Sequence, residues 1–383
     1  MTARSILGRH VLTGRSIRVE VEGGRICSIE DASTAPGCWV SPGFVDLQVN
    51  GFGGVDLNGD RIDAGLVSSL VEKVLATGTT TFLPTIITAS EERIVCALRA
   101  IAQARRTDPR IAHAIPFVHI EGPHISPEDG ARGAHPREHV RAPSLAEFER
   151  WQQASQDLVG MVTLSPHWDN SLEYIAALAS RGVLVALGHS CAHPDRIRRA
   201  ADAGATISTH LGNGVPQMLP RHPNLLWAQL AEDRLTATFI ADGHHLPADT
   251  LRAMLRAKSI ERSILISDCV ALAGMPPGIY ESPIGGRVEL HSDGRLNTVG
   301  TAYLAGSAFS LGGTVARLAG SLGCAPADAF RMATANPGRL VGGRGVLQCS
   351  SAADLIVFSR DREKQILKIE SVLAQGIEVA PAP

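Results

Sequence analysis

The chain is poor in the features that mark several large functional classes. It has only seven cysteines, at positions 27, 38, 96, 191, 269, 324 and 349, and none form a Cys-x-x-Cys pair. This excludes a zinc ribbon or a thioredoxin-type motif. An excess of one charge is also missing: 36 basic residues stand against 38 acidic ones, a net charge of −2. That balance gives no electrostatic reason to expect nucleic acid or an anionic membrane as partner. No apolar run reaches the ~18 residues of a membrane span. Residues 1–10 lack the apolar stretch of a secretory signal. An odd number of scattered thiols without such a signal predicts a reducing, cytoplasmic setting. Repeats of fixed period and low-complexity tracts are absent as well.

What is present is apolar and alternating. Hydrophobic residues make up 44% of the 383, enough for one large domain and a small one. Residues 16–22 alternate apolar and polar, Gly23-Gly24 follows as a turn, and 25–30 alternate again, which predicts a hairpin. Residues 354–358 and 365–370 are similar. These β-rich ends predict a small β-sandwich domain built from residues 1–41 and 345–383. Between them, 42–344, strand and helix alternate. Strands are expected at 44–49, 80–87, 116–121, 161–164, 183–189, 205–210, 236–242 and 264–268. Helical spacing appears at 64–75, 91–105, 194–203, 225–230 and 247–255, and another helix opens at 143–147 with Ser144 as its cap. Eight strands each followed by a helix predict an α/β fold, a (β/α)8 TIM barrel.

In such a barrel the active site forms at the C-terminal strand ends. Glu121, His189, His210 and Asp268 close the third, fifth, sixth and eighth strands, so they would converge at one rim. A lone strand-end His is more often a hydrogen-bonded structural residue, and a lone Asp often caps the next helix. Four on four strands point to a metal site. Glu121, His189 and His210 make a set suited to one divalent ion with a position open for water, zinc first, with iron, manganese and cobalt also accepted. Asp268 would take the water's proton and pass it to a leaving amine. His119 shares a strand face with Glu121 and would either support it or be buried structurally.

These residues lie in a longer pattern: PGFVDLQVNG (42–51), HIEGP (119–123), GAHP (133–136), GHS (188–190), THLGNG (209–214), ADGHH (241–245), SD (267–268), LAGSA (304–308), RMATANPGRLVG (331–342) and ADLIVF (353–358). In this order the chain resembles the amidohydrolase superfamily, and within it the N-acetylglucosamine-6-phosphate deacetylases. The resemblance implies a small-molecule amino sugar phosphate as substrate and loss of its acetyl group. It implies that His135 polarises the acetyl carbonyl, beside Ala134 in the same loop. It also implies that Asn213, Gly214 and His245 contact the sugar phosphate. Arg221 stands where the family has an arginine reaching a neighbouring subunit's phosphate, which implies a homodimer. An exposed loop residue is the plain alternative for Arg221, and a solvated cation the plain reading of Arg132. The superfamily's first-strand His-x-His is replaced here by Gln48-Val49-Asn50, and amides are poor ligands for a transition metal. A single ion is therefore expected, with both amides hydrogen-bonded in the barrel mouth.

The departures fall around the substrate. The family's His-Leu-Phe-Asn-Ala-Met is His210-Leu211-Gly212-Asn213-Gly214-Val215 here, Pro166-His167 replaces Pro-Glu, and Cys269 replaces an Ala. They leave open a different N-acyl substrate, such as an unphosphorylated sugar or an N-acyl amino acid. A catalytically silent barrel acting as an assembly partner is the alternative from another class. The presence of all ligands and the base speaks against it.

Overall fold

The computed structural model describes residues 3–34, 37–282, 286–301, 303–361 and 366–382. Barrel strands are β1 (Phe44–Val49), β2 (Thr79–Ile87), β3 (Val118–Glu121), β4 (Val159–Leu164), β5 (Leu184–Leu187), β6 (Ile207–Ser208), β7 (Thr236–Ile240) and β8 (Ser263–Ile266). They form one eight-stranded sheet in chain order, and each neighbouring pair runs parallel. Nearly every residue on them is buried, because helices cover the outer face and side chains fill the inner one. The ring closes at its mouth. Asp268 N donates to Gln48 O at 3.1 Å, and Asn50 N to Cys269 O at 2.9 Å. The seam therefore runs through the residues expected to do chemistry.

The helices form where apolar spacing and caps agree. Ala64–Ala76 buries Val67, Leu70, Val71, Val74 and Leu75, and the Asp63 carboxylate accepts from Leu66 N. Ser90 caps Glu91–Thr107, and Ser144 caps Leu145–Ser155 as expected. A helix at Ser171–Ala179, after β4, starts at Asn170, whose side chain donates to Pro143 O instead of capping it. Val45, Leu47, Leu83, Met161, Ala186, Ile207, Ile240, Ile264, Ile266 and Val341 plug the barrel interior.

The two ends of the chain share one seven-stranded sheet. Trp39–Pro42 and Leu355–Asp361 pair antiparallel at its middle. The expected sandwich arises from this single sheet folding back on itself. Ile26 N donates to Ser351 O at 3.0 Å, Ala353 N donates to Gly24 O at 2.9 Å, and the arms enclose Ile17, Val19, Val21, Ile26, Val40, Leu355 and Leu373. The strand expected at 365–370 is observed from Ile366, and residue 365 lies outside the described residues. A further three-stranded antiparallel sheet, Gly278–Ser282, Gly286–Leu290 and Leu296–Thr298, follows β8 and was not anticipated. It packs on its own cluster of Leu272, Val288, Leu290, Leu296 and Ala305. Among the described residues no helix is long and apolar enough to cross a membrane.

Candidate metal centre

β3 ends on Glu121 itself. Strands β5, β6 and β8 end two residues short of His189, His210 and Asp268, earlier than periodicity predicts. The reason is local: these three residues take φ of 48°, 29° and 48°, which is incompatible with a ladder. Residues other than glycine rarely adopt that left-handed region, and they cluster at functional sites when they do.

The turns bring the expected ligands together. One donor atom from each of Glu121, His189 and His210 lies within 4.8 Å of the others, and all three residues are buried. His210 Nε2 is 2.9 Å and His189 Nε2 3.3 Å from the same oxygen, Glu121 Oε1. His189 Nδ1 donates to Ala131 O at 2.9 Å, which leaves Nε2 a bare lone pair in the neutral ring. A lone pair facing a carboxylate oxygen is satisfied by a cation between them, so this donor set fits a divalent ion. Burial works to raise the Glu121 carboxyl, yet the approach of the His189 and His210 rings holds it well below the usual range.

Glycines shape the space around His189. A Cβ on Gly214 would lie 2.8 Å from His189 Nδ1, and Gly214 has φ +58°. Gly214 O also accepts from Ser190 N at 3.0 Å. Gly133, on the other loop, would bring a Cβ to 3.4 Å from His189 Cε1.

Asp268 adjoins the cluster through the amides that replace His-x-His. Gln48 Nε2 donates to Glu121 Oε1 at 2.9 Å and to Asp268 Oδ1 at 3.0 Å. Asn50 Nδ2 donates to the same Oδ1 at 2.8 Å. Asp268 Oδ1 is thus occupied, whereas Oδ2 has no donor among the described residues. Burial, and then the Glu121 charge, pushes its carboxyl up. Asp46 sits beneath, its Oδ1 accepting from Gln48 N and Ser267 N at 3.2 Å each.

His135 reaches the cluster from the loop after β3. Its Nε2 is 3.8 Å from Glu121 Oε2, and its ring centroid lies 4.3 Å from that of His189. Burial, and then the neighbouring His189, lowers it to about 3, so the ring is neutral. Its Nδ1 lies 2.8 Å from Thr88 Oγ1, a residue the sequence reading did not single out. Arg132 is not a solvated cation. Its guanidinium donates to His135 O at 2.7 Å and to Asp129 Oδ1 at 2.6 Å, which ties the loop down behind His135.

The remaining expected residues line or leave the mouth. Asn213 Nδ2 donates to His210 O at 3.3 Å, and its side chain is half-buried. Ala134 is exposed beside His135. His245 Nδ1 is 2.7 Å from Asp242 Oδ2, and Asp242 Oδ1 accepts from His244 N and His245 N. Burial opposes ionisation of Asp242, but His245 outweighs it and holds the carboxyl down at about 2. Arg221 is exposed and is not brought to the cluster within this chain. His119 is structural: its Nε2 lies 2.8 Å from Thr163 Oγ1, and burial lowers it to about 4. His167 Nδ1 pairs with Ser165 Oγ at 2.7 Å, which joins Ser190 Oγ at 2.9 Å, bracing the loops after β4 and β5.

Known proteins resemble this chain over most of its length. Residues 39–378 match the amidohydrolase family. The chain is 35% identical over 307 residues to an N-acetylgalactosamine-6-phosphate deacetylase of Escherichia coli O157:H7, covering 80% of this chain and 79% of the relative. It is 33% identical over 357 residues to the N-acetylglucosamine-6-phosphate deacetylase of Bos taurus, covering 90% and 85%. A solved structure of a mutant N-acetyl-D-glucosamine-6-phosphate deacetylase from Mycobacterium smegmatis, in complex with N-acetyl-D-glucosamine-6-phosphate, superposes with a TM-score of 0.85 at 29% identity, covering 98% of this chain and 99% of the other. With a buried Glu-His-His cluster at the mouth of a parallel barrel and a match that spans the whole barrel and reaches the terminal sheet on both sides, this chain belongs to the amidohydrolase family of hydrolases.

Proposed function

We propose that this chain removes the acetyl group from an N-acetyl amino sugar 6-phosphate, with N-acetylglucosamine 6-phosphate as the leading substrate. The observation that carries the reading is the Gln48 amide. It joins Asp268 to the Glu121–His189–His210 cluster, so base and ligands share one mouth. A divalent ion held by Glu121, His189 and His210, zinc by its donor set, supplies Lewis acidity toward water and an acyl oxygen. Asp268 accepts the proton of the attacking water on its free Oδ2, while Gln48 and Asn50 hold Oδ1. The water oxygen bonds to the carbonyl carbon, and His135 offers its ring N–H to the oxygen on which charge develops. Asp268 then returns the proton to the amide nitrogen as the C–N bond breaks, which releases acetate and the amino sugar phosphate. In this reading Ala134, Asn213, Gly214 and His245 contact the sugar phosphate.

The barrel of residues 42–344 carries this chemistry, and residues 1–41 with 345–383 form the β domain. The enzyme works in the cytoplasm as a homodimer in which exposed Arg221 reaches the neighbour's site. A second reading, N-acetylgalactosamine 6-phosphate, is favoured by the 35% identity to a deacetylase of that substrate. The test is acetate release by zinc-reconstituted protein from both sugar phosphates, from the unphosphorylated sugars and from N-acetyl amino acids. Turnover confined to the phosphorylated sugars is expected, and the faster of the two names the substrate. Equal rates with and without phosphate, or turnover of amino acids alone, would overturn the assignment.

A further inference from the structure

We infer that Thr88 donates its hydroxyl proton to His135 Nδ1 and thereby fixes the ring proton on Nε2, which makes Thr88 a positioning residue for the reaction. This inference rests on the proposed role of His135 toward the acyl oxygen. Thr88 immediately follows β2 and is buried. Its Oγ1 lies 2.8 Å from His135 Nδ1, and no other hydrogen-bond partner of that hydroxyl occurs among the described residues. The backbone of Gly122 presses on the same oxygen: a Cβ there would lie 2.1 Å from it, and Gly122 has φ +84°. The hydroxyl is therefore wedged between the turn that follows Glu121 and the ring of His135.

Hydrogen-bond accounting then decides the tautomer. A neutral imidazole has one ring proton, and a threonine hydroxyl has one proton and two lone pairs. Were the ring proton on Nδ1, it would point at Thr88, and the threonine's own proton would be left without an acceptor inside the protein. Buried polar groups are rarely left so. With Thr88 as donor both protons are placed. Nδ1 accepts, and the ring's single proton sits on Nε2. That atom faces the cluster, 3.8 Å from Glu121 Oε2, where an acyl oxygen would meet it. Arg132 holds the His135 carbonyl, so main chain and ring are each fixed by a separate group. The wrong tautomer would present a lone pair to a developing oxyanion and repel it.

The test compares Thr88→Val, which keeps the shape and removes the donor, with Thr88→Ser, which keeps the donor. Thr88→Ala replaces the valine variant if the latter fails to fold. Ring 15N–1H correlation spectra of the zinc-loaded, substrate-free protein report the tautomer, with His135→Gln assigning the signal. Wild type and Thr88→Ser should show the proton on Nε2. Thr88→Val should show it shared between the two nitrogens, because nothing then holds it on Nε2. On the preferred sugar phosphate, kcat of Thr88→Val should fall about tenfold or more with KM within about threefold, and Thr88→Ser should recover to within about threefold of wild type. An Nε2 proton and wild-type kcat in Thr88→Val would overturn the inference. So would a Thr88→Ser variant as impaired as Thr88→Val. If wild type releases no acetate from any sugar, the proposed function fails while the spectra still decide the tautomer.

Discussion

Replacing Gly214 with alanine tests how the His189 ligand is held. The new Cβ would lie 2.8 Å from His189 Nδ1 and 3.1 Å from Cγ and Cε1. Ordinary carbon contacts begin near 3.4 Å, so the ring or the loop must yield by about 0.6 Å. The ring cannot do so freely, because Nδ1 donates to Ala131 O at 2.9 Å. Metal ligands tolerate displacement of only about 0.2 Å. Loss of such orientation costs on the order of 10–100-fold in metal affinity, or about 1.4–2.8 kcal/mol. The left-handed backbone at φ +58° adds roughly 1 kcal/mol of fold destabilisation for any residue with a Cβ. Gly133→Ala is the control. It has φ +61° but only an ordinary 3.4 Å contact with the ring, so it should lose stability and keep metal affinity. Competition with a chromophoric zinc chelator measures affinity, and urea unfolding of the metal-free protein measures stability. Gly214→Ala binding zinc within twofold of wild type would refute the reasoning, because the loop would then relax at no cost to the ligand.

Three further outcomes are expected. Asp268→Asn keeps an acceptor for Gln48 and Asn50 but cannot take a proton, so it should bind zinc normally and lose about 10²–10⁴ in turnover; near-normal turnover would remove Asp268 from its role. Burial pushes the Asp46 carboxyl up to about 7. Its folded pKa lies above the unfolded value, so its contribution to stability is present at low pH and is lost as pH rises from about 4 through about 7. Urea unfolding of metal-free Asp46→Asn should lack this component, which is on the order of 4 kcal/mol across the window, and an unchanged pH slope would contradict it. Lys258 is fully buried and donates to Gln229 O at 2.8 Å and Glu232 O at 2.6 Å, closing the end of the helix Leu225–Ala231. Lys258→Met should cost about 1–3 kcal/mol by leaving those carbonyls unpaired, read as a lower Tm; an unaltered Tm would show that water replaces the ammonium.

The ligand set was legible because each member ends an apolar run, and barrel geometry gathers such ends whatever their separation in sequence. The replacement of His-x-His was equally visible, and the amides at Gln48 and Asn50 do bond within the mouth. Thr88 was not legible. It meets His135 across 47 residues, and nothing in Thr-Ala-Ser distinguishes its hydroxyl from a surface one. The role of Arg132 was left open for a related reason: a guanidinium in a loop looks solvated until the loop folds back and supplies carbonyls. The sheet of Gly278–Ser282, Gly286–Leu290 and Leu296–Thr298 escaped because its strands are short and its first strand is largely uncovered. Strand lengths at β5 and β6 were overestimated because apolar periodicity continues to a turn whose backbone has already left the ladder.

That departure has a consequence for the history of the chain. His189, His210 and Asp268 each hold a conformation that costs of order 1–3 kcal/mol for a residue bearing a Cβ, within a fold whose total margin is of order 10 kcal/mol. Glycine at any of the three would relieve that cost at once. A lineage released from catalysis would therefore tend to lose these side chains early, since mutation and stability would pull the same way. Two imidazoles and a carboxylate thus sit where the backbone alone would favour glycine.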